Sequence, residues 1–227
     1  MLDLTYAWNG MEQHLYPMVL FGGKDLVLVD CGYPGSLKLL EAALNIHGSS
    51  LECVTKLVLT HQDDDHMGAA AELKERCPSI QILSSEEEAP YISGARKNLR
   101  LQQAEEMQAH LPPEQQEFGR QFCERLRRVK SVPVDGILHP GDRFDWGGGC
   151  EIIGTPGHTP GHISIRALNG EYLITGDAAA AENGALTVAN PEYCLDLKTA
   201  VKSLEQLKAY SCRRCFCYHG GCLTEQA

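Results

Sequence analysis

The apolar run Lys56-Leu57-Val58-Leu59-Thr60 passes without a linker into His61-Gln62-Asp63-Asp64-Asp65-His66, and this junction constrains the chain more than any other segment. It reads as a buried strand that stops abruptly and delivers imidazoles and carboxylates at its end. A run of acids alone is ordinarily a solvated loop. Here the run is followed at once by the small-residue segment Met67-Gly68-Ala69-Ala70, so its side chains must face inward somewhere. Further ligand-type clusters follow it, as a metal site demands and a surface loop does not.

The second cluster is Gly154-Thr155-Pro156-Gly157-His158-Thr159-Pro160-Gly161-His162, where two Pro-Gly steps hold the backbone in a rigid loop around His158. The third is Ile174-Thr175-Gly176-Asp177 and the fourth is Tyr218-His219-Gly220-Gly221, each an apolar or alternating strand that ends on a ligand type. Every candidate ligand therefore lies where a strand stops.

Between these points the periodicities predict strands near 4–8, 16–21, 25–30, 54–60 and 80–83, with helices over about 36–45, 67–76 and 195–210. Ser36 is a plausible N-cap for the first helix. In the last, Leu195, Leu197, Val201, Leu204 and Leu207 form an apolar stripe. The charged stretch from Ser85 to Lys130 reads as two helices divided at Pro112-Pro113, with Ser85 and Glu88 spaced as a capping box. Lying between the first and second ligand clusters, this helical insertion at about 85–130 suits a lid or one wall of a cleft. Its cations, Arg96, Lys97, Arg100, Arg120, Arg125, Arg127 and Arg128, could supply an anion-binding side chain to the cleft, although a solvated helix face is the expected outcome.

A chain of 227 residues can bury its core as one large α/β domain, so a single domain over 1–227 is expected. A net charge of −10 repels phosphate backbones and argues against nucleic acid as a partner. No apolar stretch approaches a membrane span, and the N-terminal sequence has no basic segment followed by an apolar one. The expectation is a cytoplasmic protein acting on a small molecule, away from membranes. The ten cysteines show no disulfide framework, so most are expected to be reduced and buried. Cys212, Cys215, Cys217 and Cys222 cluster near His219 and could form a redox pair or an extra metal site, although small buried side chains are the expected outcome.

The ordered motifs T-H-x-D-x-D-H-x-G, T-P-G-H-T-P-G-H, T-G-D and a late H-G, preceded by Val29-Asp30-Cys31-Gly32, resemble the metallo-β-lactamase superfamily over nearly the whole chain. The resemblance implies an αββα sandwich, two mixed β-sheets flanked by helices, with a dinuclear metal site at one sheet edge. By position, it implies that His61, Asp63 and His158 hold one ion, that Asp65, His66 and His219 hold the other, and that Asp177 bridges them. Asp30 and His162 fall where family members place supporting hydrogen-bond partners. The implied enzyme is a hydrolase whose metal-bridging hydroxide attacks an ester, thioester or lactone carbonyl, with Asp65 as ligand and proton shuttle.

Asp63 stands where the family pattern has His. The change adds a negative charge to the site and makes it harder, which suits manganese or iron better than a His-rich site does. Zinc, which also accepts carboxylates, remains the first choice. A carboxylate here also resembles the superfamily's diiron members, so a diiron redox or oxygen-handling protein is the alternative. Ala180 occupies the position of the tyrosine that assists lactonases of the family, which counts against a lactone. The chain's end eight residues after His219 counts against a glutathione thioester.

Overall fold

A computed structural model describes residues 1–8 and 10–224. The chain opens with an antiparallel hairpin, β1 (Leu4–Trp8) and β2 (Met11–Leu15). It then builds a five-stranded sheet in the order β3 (Met18–Gly22), β4 (Asp25–Val29), β5 (Lys56–Val58), β6 (Gln81–Ser85) and β7 (Gly136–Leu138). Strands β4 to β7 run parallel and β3 runs antiparallel beside β4. The parallel steps need crossovers, and the helices supply them: α1 (Leu37–Ile46), α2 (Asp64–Met67), α3 (Ala70–Arg76), then α4 (Ala89–Ile92), α5 (Leu99–Gln108) and α6 (Gln116–Arg127).

The second sheet comes from later sequence: β8 (Arg143–Phe144), β9 (Cys150–Gly154), β10 (Ile163–Ala167) and β11 (Tyr172–Ile174). After the small hairpin β12 (Ala180–Glu182) and β13 (Ala185–Thr187), helix α7 (Leu197–Lys208) leads to β14 (Arg214–Cys217) and β15 (Gly221–Thr224). The order is β15-β14-β11-β10-β9-β8, with β14 parallel to β11 and the other neighbours antiparallel, so both sheets are mixed.

Side-chain alternation explains how these layers stack. Along β4, Val27 and Val29 face Ile152, Ile163, Ile165 and Ile174 of the second sheet, in a core that lies between the sheets. Their neighbours Leu26 and Leu28 face the opposite way, onto Leu40, Leu44 and Leu73 of α1 and α3. The second sheet repeats the arrangement, with Ile153, Leu173, Cys215 and Cys217 packed on Leu204 and Leu207 of α7. The result is the expected αββα sandwich, and β4 is apolar from Leu26 to Val29 because both its faces are covered there.

Several local expectations change. The second half of the His61–His66 run is itself helical, so the helix predicted over 67–76 begins earlier, at Asp64, and is broken into α2 and α3. Gly68 sits at the break, where a Cβ would lie 2.2 Å from the Asp64 carbonyl oxygen and 2.4 Å from Pro34. Ser36 is at the start of α1 but makes no cap hydrogen bond; its hydroxyl pairs with Tyr6 Oη at 2.6 Å. The insertion does form helices on either side of Pro112-Pro113, with the short α4 in addition. Only half of the capping box forms: Glu88 N donates to Ser85 Oγ at 3.2 Å, while the Glu88 carboxylate goes elsewhere. On α7, Leu204 and Leu207 are buried, but Leu197 and Val201 are exposed, and Leu195, also exposed, lies before the helix begins. Among the described residues no helix is long and apolar enough to cross a membrane.

Candidate metal centre

The strand ends β4, β5, β9, β11 and β14 converge on one edge of the sandwich, and all the sequence-predicted ligands meet there. His61, Asp63, His66, His158 and Asp177 are buried, while Asp65 and His219 are partly exposed at the floor of a cleft. Two triads have their ligand atoms mutually within 4.8 Å: His61, His158 and Asp177, and Asp65, His66 and His219. Asp177 lies between them, with Oδ2 3.5 Å from His158 Nε2 and Oδ1 3.2 Å from His66 Nε2 and 3.4 Å from His219 Nε2.

Backbone and hydrogen bonds aim these groups. Asp30, directly after β4, takes φ 60°, a left-handed conformation costing a non-glycine residue roughly 1–2 kcal/mol. That turn lets its carboxylate accept from Thr60 N at 2.9 Å, Thr60 Oγ1 at 2.8 Å and His66 Nδ1 at 2.9 Å. With Nδ1 as donor, the His66 lone pair is on Nε2 and points into the site. His61 Nδ1 lies 3.0 Å from Thr60 Oγ1; since that hydroxyl donates to Asp30, the ring donates to it, and again Nε2 is left as the acceptor.

His162 works through the main chain. Its Nε2 accepts from Asp177 N at 2.9 Å, and its Nδ1 donates to Thr155 Oγ1 at 2.8 Å. Thr155 in turn donates to Ser164 Oγ at 2.8 Å, and Ser164 donates to the Thr175 carbonyl at 2.9 Å. Burial pushes the His162 pKa well down and the neighbouring His61 and His158 add to it, so the ring stays neutral, as this chain of donors requires. It therefore orients the backbone of Asp177 rather than a ligand side chain.

Two residues outside the predicted ligand set hold the ligand loops. Glu88, fully buried at the start of α4, accepts from Gln62 N and Gln62 Nε2, both at 3.1 Å, and from Gly161 N at 2.9 Å. It thereby ties the first ligand loop to the second. Arg100 is only 3% exposed rather than solvated. Its Nε and Nη2 donate to Asp63 Oδ2 at 3.0 and 2.6 Å, and Nη2 lies 3.2 Å from His158 Nε2. Burial opposes ionisation of Asp63, yet the Arg100 charge and the flanking imidazoles outweigh it and hold the carboxyl well below the usual carboxylate range. The sequence signal for Arg100 was its place among the cations of the insertion between the two ligand clusters; Asn98, which caps α5 by accepting from Leu101 N, sets the start of the helix that carries it.

The donor set fits divalent ions. His61 Nε2, His66 Nε2, His219 Nε2, Asp63 Oδ1 and Asp177 Oδ1 are buried polar atoms with no partner in hydrogen-bonding geometry. Such atoms are costly unless something binds them, and imidazole nitrogens beside carboxylate oxygens are what a divalent transition metal takes. The site opens into a cavity of about 330 Å³ walled by Tyr33, Phe122, Arg125 and Tyr193. Elsewhere, His47, His110 and His139 are exposed, and His14 pairs with Asp3 at 2.8 Å. All ten cysteines are free; Cys215 and Cys217 are buried behind the second sheet, and Cys194 Sγ lies 3.8 Å from His158 Nδ1.

Known proteins resemble the chain in sequence and in fold. A family described as the metallo-beta-lactamase superfamily matches residues 16–219. The chain is 32% identical over 155 residues to a protein named probable metallo-hydrolase YflN of Bacillus subtilis (strain 168), covering 67% of this chain and 54% of that one. It is 29% identical over 121 residues to a hydroxyacylglutathione hydrolase, GloC, of Haemophilus influenzae, covering 53% and 48%. The chain thus spans about half the length of these curated relatives. A metallo-beta-lactamase family protein from Thermus thermophilus superposes with a TM-score of 0.70 at 22% identity, covering 99% of this chain and 74% of that one.

Proposed function

The chain belongs to the metallo-beta-lactamase superfamily, and from that premise we propose that it is a dinuclear metal-dependent hydrolase of esters, thioesters or lactones. The observation that carries this reading is the set of buried imidazole and carboxylate atoms that lack hydrogen-bond partners and face one open cleft. His61, His158 and Asp177, with Asp63 beside them, would hold one ion, and Asp65, His66 and His219 the other, with an Asp177 oxygen directed to each. Zinc is the first choice, with manganese and iron as alternatives. When bound, the ions supply Lewis acidity at the substrate carbonyl and make water a stronger nucleophile near neutral pH.

The chain's own groups do the rest. Asp65 lines the cleft with Oδ2 3.2 Å from His219 Nε2, a position from which it can take the proton released as water adds to the carbonyl and return it to the leaving oxygen or sulfur. Its backbone is fixed by Tyr218, whose hydroxyl donates to the Asp65 carbonyl at 2.5 Å and accepts from Gly32 N at 3.1 Å. Tyr33, Phe122 and Tyr193 form the aromatic part of the wall and would exclude water from an acyl group bound there. Ala180 also lines the cleft and offers no hydroxyl to a lactone. The hydroxyacylglutathione hydrolase among the relatives gives thioesters the first place in a substrate panel.

The test is to strip the protein with a chelator and assay thioester, ester and lactone panels, with and without added zinc, manganese or iron and with no reductant. Metal-restored hydrolysis is the expected result. No turnover on any panel by metal-loaded protein would refute the reading, and an iron centre whose visible absorption bleaches on reduction would replace it with redox chemistry.

A further inference from the structure

Asp63 places a third carboxylate in a site already holding Asp65 and Asp177, and the chain supplies a cation to meet it. Arg100 reaches down from the first turn of α5, where Asn98 Nδ2 donates to the Gln62 carbonyl at 2.8 Å and Leu99 N donates to Gln62 Oε1 at 2.7 Å. The helix start is thereby docked onto the ligand loop itself. The guanidinium is satisfied on every side: Nε and Nη2 on Asp63, Nη1 on Gln103 Oε1 and the Tyr193 carbonyl, and its carbon 5.4 Å from the centre of the Tyr193 ring. It is a built part of the site, not a surface side chain that swung inward.

Its effect on the two halves of the site is unequal. One positive charge offsets the extra carboxylate, so the net charge of the ligand set returns to what a third imidazole would have left. The coordination does not return with it. Asp63 Oδ2 is taken up by two N–H donors, and His158 Nε2, the nitrogen facing the cleft, is 3.2 Å from a third. His158 Nε2 lies 3.1 Å from Asp63 Oδ2 as well as 3.2 Å from Arg100 Nη2, so whichever ring nitrogen carries the proton, a cation at Nε2 competes with the Asp63–Arg100 pair. A fixed guanidinium also repels a divalent ion in proportion to inverse distance, most strongly at the half it touches. His66 Nε2 and His219 Nε2 have no such competitor among the described residues.

We propose that Arg100 and Asp63 act as one unit that replaces a third imidazole in charge but not in coordination, so that the position at His61, His158 and Asp177 is the weaker of two and fills second. The proposal rests on the dinuclear reading above and specifies how occupancy is ordered within it.

The test is a calorimetric zinc titration of the metal-stripped full chain, comparing wild type with Arg100→Met and with the double variant D63H/R100M, each checked for folding by circular dichroism. Wild type is expected to take two ions in resolved steps. Arg100→Met should tighten the weaker step at least tenfold while leaving the tighter one within about twofold. Should Arg100→Met fail to fold with Asp63 left unpaired, D63H/R100M, which removes both charges, carries the same expectation. Two equal steps in wild type, or a weaker step that stays unchanged or loosens in the folded variants, would overturn the proposal while leaving the dinuclear reading intact. No zinc bound by wild type would overturn both.

Discussion

Around His66 and His219 the imidazole nitrogens that face the cleft have no hydrogen-bond partner, whereas the corresponding nitrogen of His158 meets Arg100 Nη2 at 3.2 Å. His66 is held from behind: Asp30 takes its far nitrogen, and the near one is left open. At His158 the support from behind is a cysteine sulfur at 3.8 Å, and the front is partly occupied. The difference teaches that ligand residue types do not by themselves define a metal position. What sits on the other side of each ring decides how much of its lone pair is available.

The largest effect that would break this distinction is expected at Asp177, the carboxylate common to both halves. Replacing it with Ala should cost about a thousandfold or more in hydrolysis and release both ions, since a polarising metal is worth several kcal/mol. Elemental analysis that still found two ions per chain would mean that the halves do not share this group.

Asp65→Asn should lower kcat by about a hundredfold or more with KM little changed, as loss of a proton-transfer group does. Steady-state kinetics on the best substrate would check it, and a loss confined to KM would assign Asp65 to binding instead.

Asp30→Asn sharpens the comparison from one side only, because Asp30 braces His66, whereas the group behind His158 is Cys194. Metal affinity should fall about 10–100-fold at the tighter position, with the weaker one little affected. A chelator competition assay reads both.

The smallest effect is expected for Glu88→Gln, which acts on both loops alike. It leaves an amide nitrogen facing a backbone N–H donor, a change worth about 1–3 kcal/mol of stability. Thermal unfolding should register it, with the order of metal filling preserved; a change in that order would make Glu88 part of the distinction rather than a common fastening.

The strand-and-helix order and the candidate ligand residues that meet at the site were legible because local pattern and the family resemblance point to them. Strands such as β4 and β5 announce themselves by unbroken apolar runs, and ligands announce themselves by standing at strand ends. What could not be read was long-range company. Arg100 looked like one of several cations on a charged insertion, and only the docking of α5 on Gln62 turns it inward. Glu88 fitted a capping box, but its carboxylate finds Gly161, far along the chain in the second ligand loop, which no local spacing encodes. The exposed Leu195, Leu197 and Val201 erred in the opposite sense, since a helical stripe states which residues share a face and not how much of it is covered.

The most direct measurement is to remove metal from the full chain with a chelator, return zinc in steps, and follow bound metal and thioester hydrolysis on the same samples. The account predicts negligible hydrolysis in the stripped protein and restoration that tracks metal up to about two ions per chain, with the later part of the titration contributing. Undiminished hydrolysis by stripped protein, or zinc uptake with no hydrolysis of any panel substrate, would contradict it.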